Sequence, residues 1–571
     1  MFIERVPNRN SPPTVLLRRS FRRHGKTEKE TLANLTHWPP HVVAGLERLL
    51  QGKTLVAVED VFAVERTIAH GHVAAVLGTI GRLGVDTMIG SRRSRERDLV
   101  VAMVAERLLH PCSKLATTRL WSTTTLGEEL AVTDADVDEL YAALDWLLAR
   151  QERIEGKLAT RHLRDGGLVL YDVTSSYYEG RTCPLARPGY NRDDKKGRPI
   201  IVYGVLTDGE GRPVAVDVYP GNTGDPTTVP DQVERLRERF GLEQVVLVGD
   251  RGMLTETQIE SLREHPQLGW ISALRTSAIR KLVQAGDLQL SLFDQQNLAE
   301  IRSGEFPGER LVVCYNPLLA EDRRRTREEL LAATEKELEK IQRAVSRRTK
   351  TPLTKKDIAL RVGRAINRFK VAKHYRLIIE DARLQWQRDP ASVAQEAALD
   401  GIYVVRTSEP AERLSSEDAV RTYKRLALVE RLFRTLKGID LRIRPIYHRL
   451  DPRVRAHIFL CLLAYYVEWH IRKAWAPLLF DDDELDARRP RRDPVAPAQP
   501  SPSAKRKKRQ RTTDDGLPVH SFQTLLAELA TYSRNLCRTK TGKYSATLVQ
   551  YSALSPLQAR AFQLLEVCPG R

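Results

Sequence analysis

Paired cysteines are what this sequence most plainly lacks. Its six cysteines (Cys112, Cys183, Cys314, Cys461, Cys537 and Cys568) stand apart, with no CxxC pair and no histidine at zinc spacing. The pattern supports neither a disulfide framework nor a zinc finger, and the thiols read as reduced ones in a cytosol. The opening stretch MFIERVPNRNSPPTVLLRRS is positively charged but holds no apolar run long enough for a signal h-region, so secretion is not expected. Long hydrophobic runs are missing as well. The most apolar helical stretch, IFLCLLAYYV from Ile458 to Val467, has about half the length needed to cross a bilayer and is flanked by His457 and Glu468. It reads as a core helix, and no membrane partner is expected.

Positive charge is present in excess. Across 571 residues, 92 Lys and Arg stand against 73 Asp and Glu, a formal balance of +19, while 42% apolar content is ordinary for a folded chain. That length has room for about two to four domains. Excess positive charge most simply means a polyanionic partner. Nucleic acid leads, because a duplex presents dense phosphate charge and releases counterions when Lys and Arg neutralise it. A soluble basic protein with solvated charge is the alternative that composition leaves open.

From about Leu49 to Arg161, helix-period segments alternate with short polar breaks, as in DLVVAMVAERLL (98–109) and DVDELYAALDWLLARQERI (136–154). Residues 1–161 are therefore expected to form a mainly helical N-terminal region. SRRSRERD, just before the first of those helices, is either a phosphate contact or an exposed helix start. The period then changes. GLVLYDV (167–173), PIIVYGVLTD (199–208) and RPVAVDVYPG (212–221) read as strands, PTTVPDQVERLRERFG (226–241) as a helix, QVVLVGDRG (244–252) as a strand, LTETQIESLREH (254–265) as a helix and GWISAL (269–274) as a strand. Three strands, helix, strand, helix, strand, with carboxylates ending the first and fourth strands, is the layout of a ribonuclease-H-like mixed sheet in an α/β fold.

Residues 162–274 then supply the first part of that domain and 413–480 the last. Between them, 275–412 reads as an inserted α+β subdomain, with a long charged helix (326–348) and strands YRLIIE (375–380) and GIYVVRT (401–407). SSEDAVRTYKRLALVERLFRTLKG (415–438) reads as one helix, with Ser at its start, acids in its first turn and Gly438 as a stop. Residues 481–517, containing RRPRRDPVAPAQPSPSAKRKKRQRTTDD, lack apolar periodicity. They read as a flexible basic linker, either a sequence-independent grip on DNA or a solvated tether. Residues 518–571 regain apolar content and read as a small helical C-terminal segment.

Three acids stand out: Asp172, Asp250 and Glu430. Singly, an Asp after a strand caps a turn and a Glu in a helix is solvated. Jointly they suggest chemistry, because a rigid sheet fixes Asp172 and Asp250 at strand ends while the loops beyond leave room for substrate. A carboxylate from a nearby helix completes an all-oxygen set suited to Mg²⁺. Tyr423, Glu430 and Lys437 are seven residues apart, so at about 100° per residue they drift by only about 20° per step and share a helix face. There Lys437 can bind DNA phosphate as a point charge and Tyr423 can pack or hydrogen-bond, while Arg434 either bridges to Glu430 or reaches phosphate.

YDVTSSYYEG, VVLVGDRGM and the set Tyr423, Glu430, Lys437 resemble the three catalytic segments of DDE transposases from bacterial insertion sequences, in the group named after insertion sequence four, whose last motif is YREK. The resemblance runs from about residue 100 to 475 and includes GYNRDDKKGRP (189–199) and PIYHRLDPRVRAHIFLCLLAYYV (445–467). One position departs from it: the family's Arg stands four residues before the Glu, where this chain has Leu426, and Arg425 is turned about 100° away.

The resemblance implies a DNA transposase that cuts the ends of its own insertion sequence and joins them to target DNA. It implies two Mg²⁺ ions, with Mn²⁺ as a substitute, about 3.5–4 Å apart, Asp172 bridging both and Asp250 and Glu430 completing one sphere each. It also implies double-stranded DNA partners, namely the element's terminal inverted repeats and its target, a homodimer on that DNA, and a cytoplasmic, nucleoid-associated location in a bacterium. Rivals to this function are another ribonuclease-H-like nuclease and a non-catalytic DNA-binding protein derived from a transposase. The large insertion and the Tyr/Glu/Lys helix weigh against the first, and the presence of all three acids against the second.

Overall fold

A computed structural model describes residues 1–570 except 10, 24, 54–61, 194, 266, 295 and 540–546. Part of the Leu49–Arg161 stretch, and Asp194 of GYNRDDKKGRP, thus lie outside the described residues. The chain divides into two units, Met1–Ala69 with Tyr532–Ala553, and His70–Thr531 with Leu554–Arg571.

In the first unit, β1 (Phe2–Val6), β2 (Thr14–Arg23) and β3 (Lys26–Asn34) form an antiparallel meander, followed by the helix Pro40–Leu50. β4 (Phe62–Ala69) pairs with Ser533–Thr539, which pairs in turn with Thr547–Tyr551. Strands therefore open a region whose sequence suggests helices. The residues explain the difference. β3 reads KTEKETLAN and is exposed at all positions but one, so no apolar alternation marks a buried face. β4 finds its partner near the other end of the chain, Thr67 donating to Asn535 at 2.8 Å, and local sequence carries no trace of such pairing.

The second unit begins with the helices Gly71–Leu83, Arg95–Leu109, Val137–Leu148 and Gln151–His162. Ser94 caps the second by accepting from Arg97 N, and Asp136 with Glu139 makes a capping box on the third. The first three pack against Asp451–Trp475, in which every residue from Ile458 to Val467 is buried. A helix that is apolar all round belongs in the middle of a core. Among the described residues, no helix is long and apolar enough to cross a membrane.

The sheet follows. β5 (Gly167–Tyr177), β6 (Ile200–Asp208) and β7 (Pro213–Pro220) run antiparallel in succession. β8 (Val245–Val248) lies parallel to β5 on its other side, and β9 (Leu268–Ala273) parallel to β8. Every residue of β6, β8 and β9 is buried, which is why they read as continuous apolar runs rather than alternating ones.

After β9 the chain adds β10 (Leu298–Ile301) and β11 (Arg310–Tyr315), then the helices Pro317–Arg347 and Lys355–Phe369. The hairpin of β12 (Tyr375–Glu380) and β13 (Arg383–Arg388) joins these helices around a separate apolar cluster that includes Leu331, Leu338, Ile358 and Val362. β14 (Ile402–Thr407) then returns to pair antiparallel with β9, giving one sheet in the order β10, β11, β14, β9, β8, β5, β6, β7.

Two segments differ from their sequence pattern. The stretch 415–438 comes as Ser416–Tyr423, Leu426–Arg434 and a wide turn Thr435–Ile439, not as one helix. Ser415 caps its start, accepting from Asp418 N at 3.1 Å, but at Lys424 and Arg425 the bonds tighten to an i+3 pattern. Seven-residue spacing therefore does not hold Tyr423, Glu430 and Lys437 on one ideal face. Within 481–517, Pro502–Gln510 is a helix, capped by Ser501 and begun by Pro502. Lys507 is almost wholly buried there and donates to Ala476 O and Asp481 O at 2.9 and 2.8 Å. The basic composition concealed a Ser-Pro helix start.

Candidate active site

β8 stops at Val248, so among the described residues β5 is paired with β6 alone from Tyr171 until Tyr177, whose carbonyl accepts from Ile446 N at 3.3 Å. Asp172, expected at the end of its strand, stands within β5 opposite Val205, two residues past the last rung with β8. It is the short neighbour, not a strand end, that gives its side chain room: Asp172 lines a pocket of about 520 Å³. Its Oδ1 accepts from Val173 N at 2.7 Å.

Asp250 lies two residues past β8 and lines the same pocket. Its Oδ1 accepts from Gly252 N and Met253 N at 2.9 and 2.8 Å, the turn that an Asp after a strand ordinarily makes. Oδ2 is the oxygen left to face a ligand. Turn-capping and site roles therefore coexist in one side chain.

Glu430 comes from Leu426–Arg434, a helix that packs on β5 and buries Leu426, Val429, Leu432 and Phe433. Phe433 meets the ring of Tyr203 edge-on at 6.0 Å. That packing turns Glu430 and Arg434 outward, and both line the pocket with Asp172 and Asp250. Lys437 lines it too, from the wide turn that follows. Tyr423 does not line it. Burial first, then the charges of Asp250, Glu430 and Asp172 against that of Arg251, push its phenol up to about 12. Leu426 is buried in the helix interface and Arg425 donates to Gly209 O at 3.1 Å, so neither lines the pocket.

Burial pushes the half-buried Asp172 carboxyl up to about 7; the Val173 N–H and Arg192 oppose the rise, while Asp250 and Glu430 add to it. Like charges thus crowd one small space. Among the described residues, however, no group of three or more His, Cys, Asp or Glu side chains is gathered closely enough to hold a metal ion by itself.

Four further charged residues line the pocket that sequence reasoning did not single out: Arg192, Asp193, Asp225 and Arg444. Arg192 pairs with Asp225. Asp193, fully buried, pairs with both Lys437 and Arg444 and accepts from Tyr177 N at 3.0 Å. Arg192 and Asp193 belong to GYNRDDKKGRP, so the signal was its density of charge beside the first acid; Arg444 had none. Burial pulls the Lys437 ammonium below the usual lysine range, against the attraction of Asp193.

The family model of the transposase DDE domain matches residues 164–467, more than half of the chain. The chain belongs to that family. Membership places it among the DNA transposases, and every residue that lines the pocket, from Asp172 to Arg444, falls inside the matched span. Among solved structures, the piggyBac transposase in a synaptic complex with hairpin DNA matches over 81% of this chain and 76% of that one, at 10% identity and a TM-score of 0.33. A comparison with curated proteins finds no match.

Proposed function

We propose that this transposase serves a bacterial insertion sequence of the insertion-sequence-four, YREK-type group, cutting DNA at the ends of its element and joining them to target DNA. The observation that carries the reading is the meeting of Asp172, Asp250 and Glu430, from β5, the turn after β8 and a much later helix, in one pocket. The strand order β7, β6, β5, β8, β9, antiparallel for the first three and parallel thereafter, supports a ribonuclease-H-like core. Residues 162–274 and 413–480 are its two parts and 275–412 its insertion.

The donor set fits divalent cations, with Mg²⁺ first. Three carboxylates line one pocket, Asp172 is raised mainly by burial with Asp250 and Glu430 adding to the rise, and hard oxygen ligands are what Mg²⁺ takes. Asp172, Asp250 and Glu430 would hold it. Such sites usually draw their remaining ligands from substrate phosphate and water. When bound, divalent ions supply Lewis acidity to phosphate oxygens and lower the pKa of a bound hydroxyl.

The chain's own residues position the DNA. Arg192, Arg434 and Arg444 bring positive charge to the rim where phosphate oxygens enter. Lys437 is fixed by Asp193, and Tyr423, felt by all three acids, is held close by burial; we assign both to the DNA with Arg434. A homodimer pairs two element ends, acting in the cytoplasm on nucleoid DNA.

The test is cleavage of a labelled duplex bearing the inverted repeat that flanks the reading frame, with Mg²⁺, by wild type and Glu430→Gln. Wild type should cut, and Glu430→Gln should bind the same duplex as tightly without cutting. A Glu430→Gln chain that cuts at the wild-type rate would remove the residue from the site and the reading with it.

A further inference from the structure

A second cavity, of about 740 Å³, shares Arg444 with the carboxylate pocket. Its walls come from the end of helix Arg95–Leu109, the start of Lys114–Leu120, the segment 442–450 and the first turns of Asp451–Trp475. Arg107, Lys114, Arg442, Arg444, Arg449 and Arg453 line it, and among the described residues no carboxylate does. His448 and His457 line it as well, their ring centroids 4.8 Å apart. Two of the arginines lean on acids outside the wall: Arg444 pairs with Asp193, and Arg453 stands 3.8 Å from Asp145.

Lys114 is the residue that demands an explanation. Its side chain lines the cavity, it is only 5% exposed, and among the described residues no hydrogen bond or ion pair reaches its ammonium. Arg107, 7% exposed, donates to Leu441 O at 3.4 Å and adds a second buried charge beside it. Burial, with Arg107 contributing, pulls Lys114 down to about 7. Arg442 on the same wall holds φ at 46°, a left-handed backbone that residues with a side chain rarely adopt. A buried cation without a counter-charge is costly, so a hollow that keeps two of them, Lys114 and Arg107, among further arginines is built for an anion.

We propose that this cavity is a phosphate site, in which Lys114 and Arg107 grip the backbone of the DNA at a point beyond the phosphate held in the carboxylate pocket. Arg444, on the wall between the two, connects them. Phosphate is the chemistry that suits the set, since several converging Arg and Lys donors match its oxygens and its charge. DNA as the occupant rests on the transposase reading; the anion site itself does not.

The test uses the full chain and Lys114→Met, which keeps an apolar stem and removes the charge. Both are titrated with a fluorescent element-end duplex, without divalent ions, over a salt series. Both are also melted with and without inorganic phosphate. Lys114→Met should bind the duplex about tenfold more weakly and reduce the slope of log K against log salt by about one. Without phosphate, its melting midpoint should equal or exceed that of wild type, because an unpaired buried charge has gone; with phosphate, only wild type should gain. Equal affinity and equal slope overturn the proposal. So does a lowered midpoint with unchanged duplex binding, which would make Lys114 a packing residue. A wild type that phosphate stabilises through Lys114, yet whose duplex affinity matches that of Lys114→Met, overturns DNA as the occupant. None of these readouts involves cleavage, so a failure of the Glu430→Gln test is seen separately.

Discussion

The Nζ of Lys437 lies 3.0 Å from Oδ1 of Asp193, a carboxylate whose side chain has no exposed surface. Arg444 pairs with the same oxygen, and Oδ2 accepts from Tyr177 N. One buried acid thus ties the end of the Glu430 helix and the segment after it to the end of β5. Removing its charge strands Lys437, itself mostly buried, beside Arg444. Asp193→Asn is expected to cost about 3 kcal/mol of stability, read as a lowered midpoint in denaturant titration, and to slow cleavage through displacement of Arg444 and Lys437. An unchanged midpoint would mean that the cations are solvated by the pocket instead.

Arg472 plays the mirror role on the central helix. Its guanidinium donates at 2.6 Å to Glu468 and at 2.6 Å to Asp440, both almost fully buried. Burial and the nearby Asp440 push Glu468 up to about 8 even with Arg472 pulling it down. Arg472→Met takes the cation away from both acids, at an expected cost of about 3–5 kcal/mol once the pH exceeds the Glu468 value near 8. Glu468 keeps its proton up to about pH 8 in wild type and higher still without Arg472, so its deficit should open as pH rises through about 8 and shrink below it. A deficit independent of pH would point to lost packing around Arg472, not to lost charge.

How much of this was legible follows from where each interaction lives in the chain. Asp172, Asp250 and Glu430 could be found because each sits in a local pattern: an apolar run, a strand-turn stretch, an amphipathic helix. That Asp172 stands within its strand could not, because its room is set by the length of β8, more than 70 residues downstream. Asp193 sits in a conspicuous charged stretch, yet its meaning depends on Lys437, 244 residues away. Lys114 gave no signal at all: a Lys at a helix start reads as solvated until the fold buries it. Likewise β3 is polar at every position but Leu32 and Ala33, and Lys507 lies in a stretch whose composition says disorder. Local periodicity reports buried faces, and these features depend instead on long-range pairing of charge.

The buried Glu155 should leave a signature in the pH dependence of stability. Its Oε1 accepts from Gln151 Nε2 at 2.7 Å and from Val216 N at 3.1 Å, joining helix Gln151–His162 to β7. Burial raises its carboxyl from 4.5 to about 7, with Asp217 adding and Arg235, Gln151 and Val216 opposing. At pH below 4.5 the acid is protonated in both states. Between 4.5 and about 7 the unfolded chain ionises while the folded one keeps its proton, so wild type loses stability as pH rises, and above that range the loss is constant. Glu155→Gln keeps an acceptor for Val216 and should flatten that decline, gaining about 1–3 kcal/mol relative to wild type across the window. A variant that parallels wild type at every pH would show Glu155 ionised throughout, with Arg239, 3.7 Å away, and Arg235 as its counter-charges.

Gly189 is expected to be the most sensitive glycine of the site. It precedes the segment that carries Arg192 and Asp193, and a Cβ there would collide with the backbone carbonyl of Gly221 and crowd Ile200. Backbone cannot swing aside as a side-chain end can, so Gly189→Ala should displace the segment or open the β7 turn, at about 1–3 kcal/mol. Because the displaced residues line the carboxylate pocket while the basic cavity shares only Arg444 with it, cleavage should fall more than duplex binding does. Gly156→Ala supplies the contrast. Its Cβ meets nothing within 4 Å and lies on helix Gln151–His162, so it should stabilise the chain by about 1 kcal/mol and leave cleavage unchanged. Measured side by side, equal cleavage by the two variants would show that the approach of Gly189 to Gly221 does not govern where Arg192 and Asp193 sit.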